Sequence, residues 1–96
     1  MTPPFSVQTT PRFDRLLKKL TKHHRDLPDR FTEVVTILRS DPHNSTRRHP
    51  IKKLEGLPAG EGQFRLGLGR WRFRYDIWGD TVELNYCGLR REETYR

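Results

Sequence analysis

Apolar and polar residues change their period about halfway along this chain. Phe5 and Val7 alternate with Ser6 and Gln8, which predicts a short strand over 5–9 with one face buried. Thr10-Pro11 reads as a helix start, a hydroxyl cap followed by proline in the first turn. Phe13, Leu16, Leu17 and Leu20 then recur at i, i+3, i+4 and i+7, one helical stripe. The opposite face carries Arg12, Arg15, Lys18, Lys19 and Lys22, read as a solvated surface. HHRDLPD interrupts the pattern, and a second helix is expected from near Asp26, with Phe31, Val34, Val35 and Leu38 repeating the stripe. Ser40-Asp41-Pro42 ends it, because the residue before a proline is pushed out of helical geometry. Two short amphipathic helices so closely joined predict a helical hairpin.

Beyond it, DPHNSTRRHP (41–50) reads as an irregular basic loop, Ile51 to Leu54 as a brief extension, and LPAGEG (57–62) as a flexible connection. The period then becomes two. Phe64, Leu66 and Leu68 alternate with Gln63, Arg65 and Gly67; after a turn at Gly69, Trp71, Phe73, Tyr75 and Ile77 alternate with Arg70, Arg72, Arg74 and Asp76. Gly79-Asp80 predicts a tight hairpin, after which Val82, Leu84 and Tyr86 alternate again. The expected class is α+β: an N-terminal strand, a helical hairpin, then a three-stranded antiparallel meander, all in one domain over 1–96, with the helices on one face of the sheet. If Trp71, Phe73, Tyr75 and Ile77 pack under the helices, Arg70, Arg72 and Arg74 point to the other face, and Arg65 joins them from the next strand. An arginine-lined open sheet face is the central expectation. Neighbouring arginines repel unless acidic groups such as Asp76 and Glu83 offset them or an anion lies over them.

Charge sharpens this picture. Nineteen Lys/Arg against twelve Asp/Glu leave +7, and the excess sits in the middle: +6 over residues 42–75, +3 before and −2 after. Arginine, the better fork for phosphate, outnumbers lysine fourteen to five. A polyanion is the partner class this footprint suggests. The ten aromatics argue against disorder. No apolar run suffices for a membrane span, and MTPPFSVQTT shows no basic region leading into an apolar one, so neither membrane nor secretion is expected. A single cysteine, Cys87, excludes an internal disulfide and fits a reducing cytoplasm; on a strand with no histidine motif near it, it is not read as a nucleophile. The four histidines have no zinc spacing, so no metal site is expected; His43 and His49 read as ordinary loop residues. Tyr95, beside arginines, can stack on a base, and the nearby charge favours its phenolate.

KLEG (53–56), the stretch carrying Phe64, Arg65, Leu66, Gly69, Arg72 and Tyr75, and the closing G-x-R-R-x-x-x-Y-R together resemble the RelE/ParE superfamily of toxins from toxin–antitoxin pairs, over the whole length and most like the RelE branch. The resemblance implies a small sheet curved around a basic cleft. In that branch the cleft admits messenger RNA on the ribosome and cuts it, without metal or cofactor, by driving a ribose 2′-OH onto the adjacent phosphate, which halts translation. Position by position, Arg65 and Arg72 fall on the scissile phosphate, Arg90 or Arg91 toward the leaving oxygen, and Tyr95 at the stacking platform and base. Lys52, Lys53, Arg70, Arg74, Arg47 and Arg48 are expected to touch RNA or ribosome backbone. Gly67 departs from relatives that carry a lysine there, so Lys52, Lys53 or Arg74 substitutes for it, or Tyr95 serves alone, or activity is weakened. The implied partners are a cognate antitoxin, in a hetero-oligomer with the toxin, and the ribosome with its message. The alternative within the superfamily is a ParE-like inhibitor that binds DNA gyrase without catalysis. A third reading, a plain RNA-binding module, predicts steep salt dependence and no cleavage.

Overall fold

The computed structural model describes residues 4–92. Its elements run β1 (Ser6–Thr9), α1 (Pro11–Thr21), α2 (Leu27–Ser40), β2 (Ile51–Lys53), β3 (Phe64–Leu68), β4 (Trp71–Trp78), β5 (Thr81–Leu89) and a 3₁₀ turn at Arg90–Glu92. Five strands form one sheet in the order β1-β5-β4-β3-β2. The class is the α+β expected, with two additions. The brief extension at 51–53 is a fourth antiparallel strand, pairing Lys52 with Arg65. The N-terminal strand pairs parallel to β5, with Val7 against Val82, so the sheet is mixed.

Local chemistry accounts for the element ends. The Thr10 hydroxyl caps α1 by accepting from the Phe13 N–H at 3.1 Å, with Pro11 in the first turn. Both hairpins of the meander turn on a glycine in the left-handed region, Gly69 at φ +57° and Gly79 at φ +62°, as a two-residue loop with φ > 0 at its first position requires. Asp41 organises the basic loop. Its carboxylate accepts from the Ser45 and Thr46 N–H groups at 2.7 and 3.1 Å and from the Thr46 hydroxyl at 2.6 Å. Burial alone would raise this carboxyl's pKa, but the bonds from Thr46 and Ser45 outweigh it and hold it below the ordinary value.

Trp71, Phe73 and Tyr75 of β4, Leu66 of β3 and Val82 and Leu84 of β5 are fully buried against Phe13 of α1 and Leu27, Val34 and Leu38 of α2. Tyr75 donates its hydroxyl to the Pro42 carbonyl at 2.7 Å, and burial, with the Asp41 charge adding, raises its pKa. The alternation predicted for β4 therefore holds. On β5 it breaks. Arg74 pairs with Tyr86 while Tyr75 pairs with Leu84, so Asn85 is an extra residue, a β-bulge. Past the bulge Cys87 and Leu89 are the buried residues, and Tyr86, expected in the core set, turns to the opposite face.

The connection at 57–62, expected to be flexible, is pinned to that opposite face. Asp76, buried to 1 % exposure, accepts from the Gly62 and Gln63 N–H groups at 2.9 and 3.1 Å and from the Asn85 amide at 2.7 Å. Arg74 closes over the loop from the sheet, donating to the Gly62 and Glu61 carbonyls at 3.2 and 2.7 Å.

Candidate functional site

The face away from the helices is set by strand register. One row across the sheet reads Lys52, Arg65, Arg74, Tyr86; the next reads Gly67, Arg72, Gly88. The loop at 57–63 lies beside Arg74. On the side away from it opens a cleft of about 350 Å³ lined by Pro50, Lys52, Arg65, Gly67, Gly69 and Arg72. Three cations reach this cleft from three adjacent strands.

Gly67 is what lets Arg72 lie flat. A Cβ at position 67 would stand 2.9 Å from the Arg72 Nη1 and 3.1 Å from its Cζ, so the guanidinium covers the place where any other residue would start its side chain. Arg72 Nη1 donates to the Gly69 and Trp71 carbonyls at 2.9 and 2.8 Å, which fixes the plane of the fork. Gly67 is a structural complement of Arg72, and a lysine there would displace it.

Of the residues expected at the site, Arg65, Arg72 and Lys52 come together. Arg90 and Arg91 are exposed on the turn that follows β5, and the Arg90 N–H donates to the Arg70 carbonyl at 2.7 Å, which ties that turn to the β3–β4 hairpin beside Gly69. Arg47 and Arg48 are exposed on the loop that leads to Pro50, with Arg47 held in the left-handed region at φ +58°. Tyr95 lies outside the described residues.

One expectation of placement is corrected, and two further cations are engaged away from the cleft. Arg70 does not point out of the open face. It sits in the hairpin turn, where alternation no longer applies, and reaches toward the helices, pairing with Asp26 at 2.8 Å and lying against the Trp71 ring. Lys53 is on the opposite face from Lys52, over the Phe64 ring at 5.8 Å, because consecutive strand residues alternate. Arg74 faces as expected, but its guanidinium is engaged by the loop carbonyls.

Asp26 holds the helical hairpin to the β3–β4 turn. Beside the Arg70 pair it accepts from the Trp71 indole N–H at 2.8 Å. Although Asp26 stands at the α2 N-cap, its side chain makes no cap bond. The bonds from Arg70 first and Trp71 second hold its carboxyl far below the ordinary carboxylate value. Cys87, on the core side of β5, has its thiol pushed up to about 12 by burial, the wrong direction for a nucleophile.

Tyr86, aimed out of the core by the bulge, lines a separate pocket with Leu16, Lys19 and Leu20 of α1, and the Arg12 guanidinium lies 5.5 Å from its ring centre. A signal existed in the sequence. In Leu84-Asn85-Tyr86-Cys87-Gly88-Leu89 the apolar residues occupy even positions first and odd positions afterwards, as they do when a strand gains one residue. Among the described residues, no group of three His, Cys, Asp or Glu side chains gathers to hold a metal ion, and no helix is long and apolar enough to cross a membrane.

No protein-family model and no curated protein sequence matches this chain. Solved structures do. A chain of the archaeal RelE–RelB complex from Pyrococcus horikoshii OT3 superposes with a TM-score of 0.64 at 26% identity, covering 94% of this chain and 99% of that one. A chain of the toxin–antitoxin complex RelBE2 from Mycobacterium tuberculosis superposes with a TM-score of 0.60 at 25% identity, covering 96% and 98%. The fold is thus one found in toxin–antitoxin complexes. With nearly full coverage on both sides and the motifs at 53–56, 64–75 and 88–96, the chain belongs to the RelE/ParE toxin superfamily.

Proposed function

We propose that this protein is the toxin of a toxin–antitoxin pair and acts as a ribosome-dependent endoribonuclease on messenger RNA. The observation that carries the proposal is the cleft where Arg65 and Arg72 converge with Lys52, with the turn bearing Arg90 and Arg91 tied to its border. Guanidinium forks suit phosphate oxygens, and fixed cations aimed at developing negative charge are the main source of rate in such a reaction.

In the proposed step the ribose 2′-oxygen attacks the adjacent phosphorus, and its proton passes to Tyr95 as the base. The bond from phosphorus to the 5′-oxygen breaks, leaving a 2′,3′-cyclic phosphate on one fragment and, as the departing oxygen takes a proton from water, a 5′-OH on the other. Arg65 and Arg72 stabilise the charge on the phosphorane-like transition state, and Arg90 or Arg91 donates a hydrogen bond toward the departing 5′-oxygen. Removing either cleft arginine is expected to lower the rate about 10²–10³-fold, by analogy with loss of a preorganised donor. The required 2′-OH makes RNA and not DNA the substrate. For the antitoxin, the partner chemistry that suits the +7 chain is an acidic amphipathic helix or extended segment; the structural relatives come from RelE–RelB and RelBE2 complexes.

Primer extension on a message translated in a cell-free system tests the proposal, with wild type beside Tyr95→Phe and Arg72→Ala. New 5′ ends at in-frame positions, absent without ribosomes and lost in both variants, are the expected result. Ends that persist in both variants would keep the reaction and overturn the site. An intact message with gyrase supercoiling inhibited in parallel would assign the protein to the gyrase-binding branch.

A further inference from the structure

Resting on the proposed cleavage of RNA, we infer that Asp26, in the connection between α1 and α2, is a positioning residue for the leaving-oxygen end of the cleft: through Arg70 it holds the turn that carries Arg90 and Arg91. Asp26 occupies the N-cap position of α2 yet makes no cap bond. An aspartate there ordinarily accepts from backbone N–H groups of the first helical turn. This one turns its carboxylate to the β3–β4 hairpin. One oxygen accepts from Arg70 Nη2 at 2.8 Å and the other from the Trp71 indole N–H at 2.8 Å. His24, from the same connection, places a ring nitrogen 3.3 Å from Arg70 Nη2 and makes a T-shaped contact with Trp71. Two side chains of the helical hairpin thus grip two consecutive residues of the turn.

The backbone of that turn serves the arginines of the proposed site with three successive carbonyls. Those of Gly69 and Trp71 accept from Arg72 Nη1 at 2.9 and 2.8 Å, and that of Arg70 accepts from the Arg90 N–H at 2.7 Å. Arg72 has a second support, since its guanidinium lies over Gly67. The Arg90 turn hangs on less. Pairing of β4 with β5 ends at Trp71 and Leu89, so the bond to the Arg70 carbonyl carries the order of the sheet into Arg90–Glu92. Arg70 is therefore a link, held by Asp26 through its side chain and holding Arg90 through its carbonyl. Without Asp26 the link is loose at the tip of a hairpin, and the donor toward the departing oxygen loses its aim. Stability is a poor explanation for the pair: the Asp26 and Arg70 side chains are 39 % and 55 % exposed, and exposed ion pairs contribute little. Position is a better one, because a shift of about 1 Å set by a residue away from the chemistry can cost about 10²-fold in rate.

The test uses the full chain in excess over ribosomes programmed with a short message, read at the linkage that primer extension maps. One message carries the ordinary 5′-oxygen at that linkage and another a bridging sulfur. When the 2′-oxygen attacks the second, the bond from phosphorus to sulfur breaks and the sulfur leaves as a thiolate, which needs neither a donor nor a proton. Asp26→Ala and Arg70→Gln should each slow cleavage of the oxygen linkage about tenfold to a hundredfold at saturating protein. Both should leave the half-saturating concentration unchanged and cut the sulfur linkage at the wild-type rate. Arg70→Gln keeps the bond from Trp71 to Asp26, so it carries the test if the alanine variant folds poorly. Combined, the two changes should slow the oxygen linkage no more than one alone, as two links of a single chain do. Arg90→Ala together with Arg91→Ala should show the same selective loss. If it does, while Asp26→Ala and Arg70→Gln slow neither linkage or slow both alike, the inference is overturned and the cleft stands. If the variant lacking both arginines slows both linkages alike, their role at the departing oxygen falls, and the inference with it. A wild-type protein that cuts neither message overturns the proposed nuclease as well.

Discussion

Asp76→Ala is the most informative stability experiment on this fold. The wild-type carboxylate is buried and accepts three hydrogen bonds, two from the backbone of the loop at Gly62 and Gln63 and one from the Asn85 side chain. Alanine leaves all three donors without that acceptor. A buried donor stripped of its partner costs about 1–3 kcal/mol. The Gln63 N–H is only part-buried and can turn to water, so two donors carry most of the cost. Release from holding a charge out of water offsets part of it, and the net expectation is about 3 kcal/mol. Against the roughly 5–14 kcal/mol that a domain of this length commands at 0.05–0.15 kcal/mol per residue, that is a large fraction. At about 4–8 °C per kcal/mol for a domain of this size, Tm should fall by about 12–24 °C. Thermal unfolding followed by circular dichroism measures it, and limited proteolysis should show the segment 57–63 cut first. A drop of less than about 5 °C, with the loop still resistant, would refute the view that this carboxylate pins the loop and the bulge.

Three other outcomes follow from the same geometry. Asp26 has a depressed carboxyl pKa in the folded state, so its contribution is complete above the ordinary value near 3.8 and is lost as pH falls through the lower folded value. Asp26→Asn should therefore flatten the acid limb of a stability-against-pH curve and leave a residual neutral bond to Arg70 and Trp71. Gly67→Ala should leave Tm within a few degrees, because the atom in the way is the end of a flexible arginine, yet lower RNA cleavage by about tenfold or more through displacement of Arg72, within the range for a lost preorganised donor; equal rates in both proteins would remove Arg72 from the site. Cys87, buried with its thiol pushed up to about 12, should react with a disulfide reagent at neutral pH only after denaturant is added, as absorbance of the released thiolate will record.

The sequence by itself determined the helices, the meander and the parity of β4. Each follows from a repeat that spans a few residues: the stripe from Phe13 to Leu20, the stripe from Phe31 to Leu38, and the alternation from Trp71 to Ile77 that turns Arg72 away from the core. Arg65 was placed on the same face by the same parity, whereas the side Lys52 takes came only with the pairing of β2 to β3. What local period could not supply is anything that depends on a pairing partner. A hairpin turn cancels alternation, so Arg70 joined Asp26, 44 positions earlier, and left the face it was assigned to. One extra residue in β5 reverses parity for the rest of the strand, and that reversal, not the composition, put Tyr86 outside and Cys87 inside. The loop at 57–63 is polar and glycine-rich in sequence and reads as free; a buried carboxylate 14 positions from Gly62 makes it a fixed wall of the sheet face. Only the tertiary structure decides such matters, because the energy of a long-range hydrogen bond is invisible until both ends of it have been brought to the same place.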